Sequence, residues 1–441
     1  MFLLSPEGSA SFTRDNIFYQ CFYLFVFLFI LYRDQILSIT PKTQEQVDLM
    51  RNISDHYRMV LCHQAAPENI KEETDVQVYV PAIYTWTMTG LLQKHAMIYK
   101  VLVADVSELI EMQKRSDSAY RSIETFYESY HTLEDIYNWI NETRQNNPDT
   151  VEVIQIGSSF ENRPLYVMKL SLNNRPNKKA MWIDCGIHAR EWISHAFCLW
   201  FVQYSLSSYK TNQNMTHIFD NMDVYVLPVV NPDGYEYSWT TDRMWRKNRS
   251  VRNSSHCIGV DLNRNFDANW CMEEASKNPC RDLYCGASPE SEPETQAVAN
   301  FLRSHKDSIQ LYLTIHAPTK MLLFPYSYTF EEAENHKDLY EMAQEAAENI
   351  KTIYNTTYTY GQGSKTIYLA SGGSDDWAYD LGIKYSFTFE LMGHRDDGFY
   401  GFLLPPSEIT RACNEALIGV RTIALKVIEK TQAPTSPPPS A

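Results

Sequence analysis

The sequence predicts an α/β fold, a mixed and mostly buried sheet with helices on both faces, preceded by a small α+β unit. Two observations carry that prediction. From about Phe126 onward, apolar strand-like runs alternate with helical segments, the pattern of a sheet covered on both sides. Between about residues 38 and 110, Val76–Val80 and Ile98–Val103 read as strands on either side of a helical pattern around Met88–His95, which suits a compact unit of its own. The 441 residues exceed what one small core needs. With 44% hydrophobic and 21% charged residues the composition is that of a globular protein. A net charge of −15 speaks against nucleic acid as a partner, because phosphate binding relies on clustered Lys and Arg.

The ends have a different character. Arg14 precedes an apolar run from Ile17 to Tyr32, shorter than a typical membrane span and longer than a buried strand, which reads as the core of a signal peptide occupying residues 1–37. A signal anchor is the alternative; otherwise no stable membrane span is expected. Six Asn-x-Ser/Thr triplets begin at Asn52, Asn141, Asn214, Asn248, Asn253 and Asn355, and are glycan acceptors only in a secreted chain. Six of nine cysteines fall between Cys185 and Cys285, which suits disulfides in an oxidising compartment. The polar stretch Glu111–Arg121, with Lys114, Arg115 and Arg121, reads as an exposed, protease-accessible connector or as a solvated helix end. Residues 431–441 are too rich in proline to fold and should form a flexible tail.

Four apolar runs, Ala180–Asp184, Val224–Val230, Gln310–Ile315 and Tyr385–Phe389, read as buried strands, each followed at once by polar residues. Sites in open α/β sheets form beyond such strand ends. Here the ends supply His188 and Glu191, then Asn231 to Gly234, then His316, then Glu390. A His and a Glu three residues apart at the start of a helix can face one point, and a second His from another strand completes a ligand set with one position left for water. Alone, His-x-x-Glu is more often a surface ion pair. Its company shifts the balance: Met244–Arg249 and Gly259–Phe266 are dense in donors for a carboxylate or oxyanion, Tyr368 lies on a Gly-bearing loop, and Glu390 offers a base.

Taken together, these segments resemble the metallocarboxypeptidases of the carboxypeptidase A/B family, from about Tyr127 to Leu425, and residues 38–121 resemble that family's activation segment. The resemblance implies one Zn2+ held by His188, Glu191 and His316, with Asp261 accepting a hydrogen bond from the outer nitrogen of His188. It implies Glu390 as general base and Arg246 as the group that polarises the scissile carbonyl. Asn263 and Arg264 would grip the terminal carboxylate, Tyr368 would close over it, and Arg190 and Arg243 would serve outer subsites. Asp375 matches the acid of the family's basic-specific members, and Ser327 and Gly363 match their small pocket residues, which implies release of C-terminal Lys and Arg. Were Asp375 a solvent-facing turn acid, the preference would be aliphatic or aromatic. The family pattern pairs Cys185 with Cys198, Cys257 with Cys280 and Cys271 with Cys285; spacing alone leaves fifteen pairings open.

The implied organisation is a signal region at 1–37, an activation prodomain with connector at 38–121, a catalytic domain at 122–430 and a tail at 431–441. The expected partners are peptide and protein C-termini and a trypsin-like protease that cleaves after Arg121, with Lys114–Arg115 as the fallback; the expected state is a secreted, extracellular monomer. The pattern is broken in three places. Ala317-Pro318-Thr319-Lys320 follows His316 where the family has Ser-Tyr, Met392-Gly393-His394 resemble three extra residues after Glu390-Leu391, and His195 stands where proline is usual. A bulge beside the base that shifts it by about 1 Å costs roughly a hundredfold in rate. A catalytically weak homologue that binds C-termini is therefore the competing expectation.

Overall fold

The computed structural model describes residues 33–115 and 126–432, apart from 58, 63–66, 68–69, 174, 177, 253–254 and 396–397. The apolar run 17–32, Asn253, Arg121 and the end of the tail lie outside the described residues. The chain divides into two compact units, one built on residues up to Leu61 together with Ile70–Glu108, the other on Cys62–Asn69 and everything from Leu109 onward.

The first unit is a four-stranded antiparallel sheet in the order β2-β3-β1-β4, from β1 (Gln35–Thr40), β2 (Val60–Leu61), β3 (Val76–Val80) and β4 (Ile98–Val103). Helices α1 (Gln44–His56) and α2 (Ala82–Lys94) supply Val47, Met50, Met88 and Leu92 to a core shared with Leu37, Ile39, Val76 and Val78. Two boundaries differ from expectation. Residues 35–37, assigned to the signal region, are already strand, because Ile36 and Leu37 are buried and paired with β3. The connector begins as helix α3 (Val106–Lys114), which belongs to the second unit from Leu109 on.

The second unit carries an eight-stranded mixed sheet, ordered β11-β10-β12-β9-β7-β8-β6-β5. Its strands are β5 (Val151–Ser158), β6 (Pro164–Leu170), β7 (Lys179–Cys185), β8 (Met222–Leu227), β9 (Ile309–His316), β10 (Thr319–Phe324), β11 (Thr359–Gln362) and β12 (Tyr385–Met392). The central strands β12, β9, β7 and β8 run parallel. Period-two alternation gives the sheet two cores. Met181, Ile183, Leu311, Leu313, Phe387 and Phe389 face helices α4 (Leu133–Asn146), α5 (Trp192–Ser208), α6 (Gln213–Asn221), α9 (His336–Tyr354) and α12 (Ile409–Gln432). Ala180, Trp182 and Tyr312 face the other way, toward α8 (Pro293–His305) and Trp377 of α11 (Ser374–Asp380). Between these lie α7 (Pro232–Thr240) and the single turn α10 (Gly363–Thr366). Helix α12 runs to Gln432, so Thr431 and Gln432 are helical rather than tail.

Strand β8 stops at Leu227, three residues short of expectation, because Pro228 has no N–H to continue the ladder; Asn231 instead caps α7 through Gly234 N–H. Strand β12 runs past Phe389 to Met392, so Glu390 lies within a strand, in register with His316 on β9 and Met321 on β10. Of the three extra residues Met392 ends β12 and His394 opens β13 (His394–Arg395), which pairs with β14 (Gly398–Phe399). Met392 pairs with Thr319, and a Cβ on Gly393 would lie 2.2 Å from Pro318 Cβ. The two irregular segments therefore pack on each other. Disulfides join Cys185 to Cys198, Cys257 to Cys280 and Cys271 to Cys285.

Candidate metal and substrate site

Where β7 ends, Gly186 turns the chain at a φ of +69°, with its missing side chain's space filled by His195: a Cβ would sit 2.1 Å from the imidazole. His195, placed where proline is usual, is thus a buried packing residue of α5, stacked on Tyr235. The turn brings His188 and then Glu191, the residue that opens α5, to the C-terminal edge of the sheet. His316, the last residue of β9, arrives from the neighbouring strand.

His188 Nδ1 lies 2.8 Å from Glu191 Oε1, His316 Nδ1 lies 3.2 Å from Glu191 Oε2, and the two Nδ1 atoms are 3.1 Å apart. All three residues are buried. A tetrahedral ion with ligands at about 2.0–2.1 Å has ligand–ligand edges of about 3.3 Å, so these separations fit a zinc ion among two nitrogens and a carboxylate. Burial works against the Glu191 carboxylate, yet His188 and His316 hold it well below the usual range. Behind His188, its Nε2–H donates to Asp261 Oδ1 at 3.1 Å, while Asp261 Oδ2 accepts from Arg246 Nε at 2.9 Å. Burial disfavours the Asp261 anion, but Arg246 and His188 keep it far below the normal value.

Around this cluster stand the other residues singled out in the sequence. Burial pushes Glu390 up to about 7, opposed first by His316. Arg264 is buried, its Nε and Nη1 donating to the carbonyls of Glu274 and Asn263; Asn263 Oδ1 accepts from Ser374 N–H. The Tyr368 hydroxyl is raised by burial and drawn down by Arg264 and Arg246, so it lies in the same field as those two cations. Asp375 is buried, and its Oδ2 accepts from Thr388 Oγ1 at 2.9 Å; burial raises it. Among the described residues no Lys or Arg pairs with it. Ser327 and Gly363 touch, with room for no side chain at Gly363, and the Ser327 N–H donates to Asp376, beside Asp375. Thr388 was missed by sequence reasoning; its two-residue spacing from Glu390 on one strand face was the available signal.

Arg190 and Arg243 are more enclosed than an outer-subsite role suggests. Arg190 bonds Met244 O and Asp282, and Arg243 donates to Gln113 Oε1, Arg190 O and Phe402 O. Asn248 is fully buried, its amide donating to Glu292 and Glu294, so this triplet offers no glycan acceptor in the folded chain; Asn52, Asn141, Asn214 and Asn355 are exposed. No helix among the described residues is long and apolar enough to cross a membrane.

A strand-edge cluster of two histidines and a glutamate, with a buried carboxylate on the next strand and arginines nearby, is the arrangement of a metallopeptidase. The chain belongs to the zinc carboxypeptidase family, which residues 136–419 match, and residues 37–113 match the carboxypeptidase activation peptide. It is a zinc-dependent metallocarboxypeptidase made as a proenzyme. Carboxypeptidase B2 of Bos taurus is 47% identical over 404 residues, covering 91% of this chain and 95% of that protein. Carboxypeptidase A6 of Mus musculus is 41% identical over 400 residues, covering 90% and 91%. The crystal structure of thrombin activatable fibrinolysis inhibitor superposes with a TM-score of 0.86 at 47% identity, covering 90% of this chain and 99% of that one.

Proposed function

We propose that the chain is a secreted proenzyme whose activated form removes Lys and Arg from the C-termini of peptides and proteins. The observation that carries the basic preference is Asp375, a buried carboxylate bonded by the neutral Thr388 hydroxyl and set beside a second buried acid, Asp376, near the small residues Ser327 and Gly363. Burying a carboxylate without a cation is unfavourable, and a substrate ammonium or guanidinium supplies the missing partner.

In this reading His188, Glu191 and His316 hold zinc, and Asp261 fixes the His188 ring. Zinc held there supplies the positive charge that acidifies water and stabilises a developing oxyanion. Arg264 and Asn263 bind the substrate's terminal carboxylate, with Tyr368 beside them, so that only a chain end fits. Arg246 turns toward the scissile carbonyl while remaining anchored to Asp261. Glu390 takes the proton of the attacking water and returns it to the leaving amine. Three disulfides and four exposed Asn-x-Ser/Thr triplets suit an extracellular chain. Activation after Arg121 is favoured over Lys114–Arg115 because Lys114 ends a helix and its Nζ donates to Trp239 O at 2.7 Å.

The test is hydrolysis of matched peptides ending in Arg, Lys, Phe or Glu, before and after mild trypsin treatment, with and without a zinc chelator. Chelator-sensitive release of Arg and Lys only after trypsin is expected, and Glu390→Gln should lower turnover by about 10²–10⁴-fold. Unchanged turnover in that variant would exclude Glu390 as the base.

A further inference from the structure

The two histidines of the metal cluster are backed differently. Both rings point Nδ1 at the shared centre, so each carries its proton on the outward Nε2. His188 gives that proton directly to Asp261. His316 faces Thr314 Oγ1 at 3.3 Å, and the Thr314 hydroxyl in turn donates to Asp184 Oδ1 at 2.7 Å. Asp184 Oδ2 accepts from Trp182 Nε1 at 2.7 Å.

We infer that Thr314 and Asp184 form a second relay, positioning residues that hold the His316 ring and its tautomer for zinc. The inference rests on the ligand assignment proposed above. Sheet geometry explains why the groups meet. Thr314 and His316 are two residues apart on β9 and so share a face, as Trp182 and Asp184 do on β7. The parallel register sets Asp184 directly beside Thr314. All four side chains are buried, at 2% exposure or less. Among the described residues Asp184 pairs with no Lys or Arg, unlike Asp261, which has Arg246. Its carboxylate is kept in a place where its neighbours are a threonine hydroxyl, an indole and the Tyr312 phenol, and the chain of donors leads from it to the metal ligand. A hydroxyl inserted between ring and carboxylate transmits orientation through two hydrogen bonds where His188 uses one. The partner of a metal-bound histidine typically contributes about 10–100-fold in metal affinity.

The experiment uses the full-length proenzyme and measures zinc affinity by competition with a chromophoric chelator, with thermal unfolding of the metal-free protein alongside. Thr314→Val keeps the shape and removes the hydroxyl; it should weaken zinc binding by about 10–100-fold. Thr314→Ser should restore most of it. Asp184→Asn, measured the same way, should also weaken binding, and it serves if the valine variant does not fold. A purely structural role would lower the metal-free midpoint and leave zinc affinity alone. Wild-type affinity in Thr314→Val, or in Asp184→Asn where the valine variant fails to fold, would overturn the relay, as would a serine variant as weak as the valine one. A chain that keeps its zinc after His316→Ala would overturn the ligand assignment as well, which separates the two failures.

Discussion

Asp261 behind His188 and Asp375 beside Thr388 are both buried, and their surroundings are opposite. Asp261 has Arg246 on one oxygen and His188 on the other, and its carboxyl is held far below the ordinary range. Asp375 has a threonine hydroxyl, and burial raises it. The first is an ion pair completed within the chain; the second pairs with no Lys or Arg among the described residues. In the proposed function the counter-ion of Asp375 arrives with the substrate.

Removing the anion at each position should therefore have contrasting effects. Asp261→Ala takes from the largely enclosed Arg246 its hydrogen-bonded carboxylate and leaves it, among the described residues, only Glu191 at 3.8 Å, and should lower unfolding stability by about 3–5 kcal/mol, read by urea denaturation of the full chain. Asp375→Asn should leave stability unchanged or raise it, because an unpaired buried carboxylate is removed. It should instead lower kcat/KM on peptides ending in Lys by roughly 30- to 5000-fold, the equivalent of about 2–5 kcal/mol for truncating one partner of a buried charge pair. Equal losses of stability in the two variants would break the contrast.

Glu294 extends the comparison to a position away from the site. Burial pushes it up to about 7, against the Phe160 N–H and Asn248 amide that bond it, while nearby Arg252 pairs with Glu292. Its folded value lies above the unfolded one, so the folded state binds the extra proton between about pH 4.5 and 7. Its contribution is full below the unfolded value and is lost as pH rises through the folded one, by about 3 kcal/mol. Asp261 works in the opposite sense, with stability lost as pH falls toward its depressed value. Glu294→Gln should flatten the pH 5–8 part of a stability profile. A smaller effect is expected where Gly393 packs on Pro318: Gly393→Ala should cost about 1–3 kcal/mol of stability by overpacking. The ratio of Lys to Phe cleavage should stay as in the wild type, since neither residue contacts Asp375.

How much of this was legible in the sequence follows from which contacts are local. Strands β3 and β4 coincide with the runs Val76–Val80 and Ile98–Val103, because alternation and β-branched residues act within the strand itself. Helix α2 was seen only from Met88, since Ile83 and Trp86 in its first turns are exposed and blur the apolar stripe. The cluster of His188, Glu191 and His316 was legible through its spacing and the segments around it. The path of Met392-Gly393-His394 was not legible: only strand pairing shows Glu390 beside His316, with Met392 closing β12 and His394 opening the β13–β14 pair. Thr314 and Asp184 were invisible as a relay because their meeting depends on the β7–β9 register, which no run of residues states.

The most direct measurement is kcat/KM of the trypsin-activated chain for two peptides identical except for a terminal Arg or Phe. Asp375 as the cation site predicts a large preference for Arg that disappears in Asp375→Ser. Equal or faster cleavage of the Phe peptide by the unmodified enzyme would contradict it.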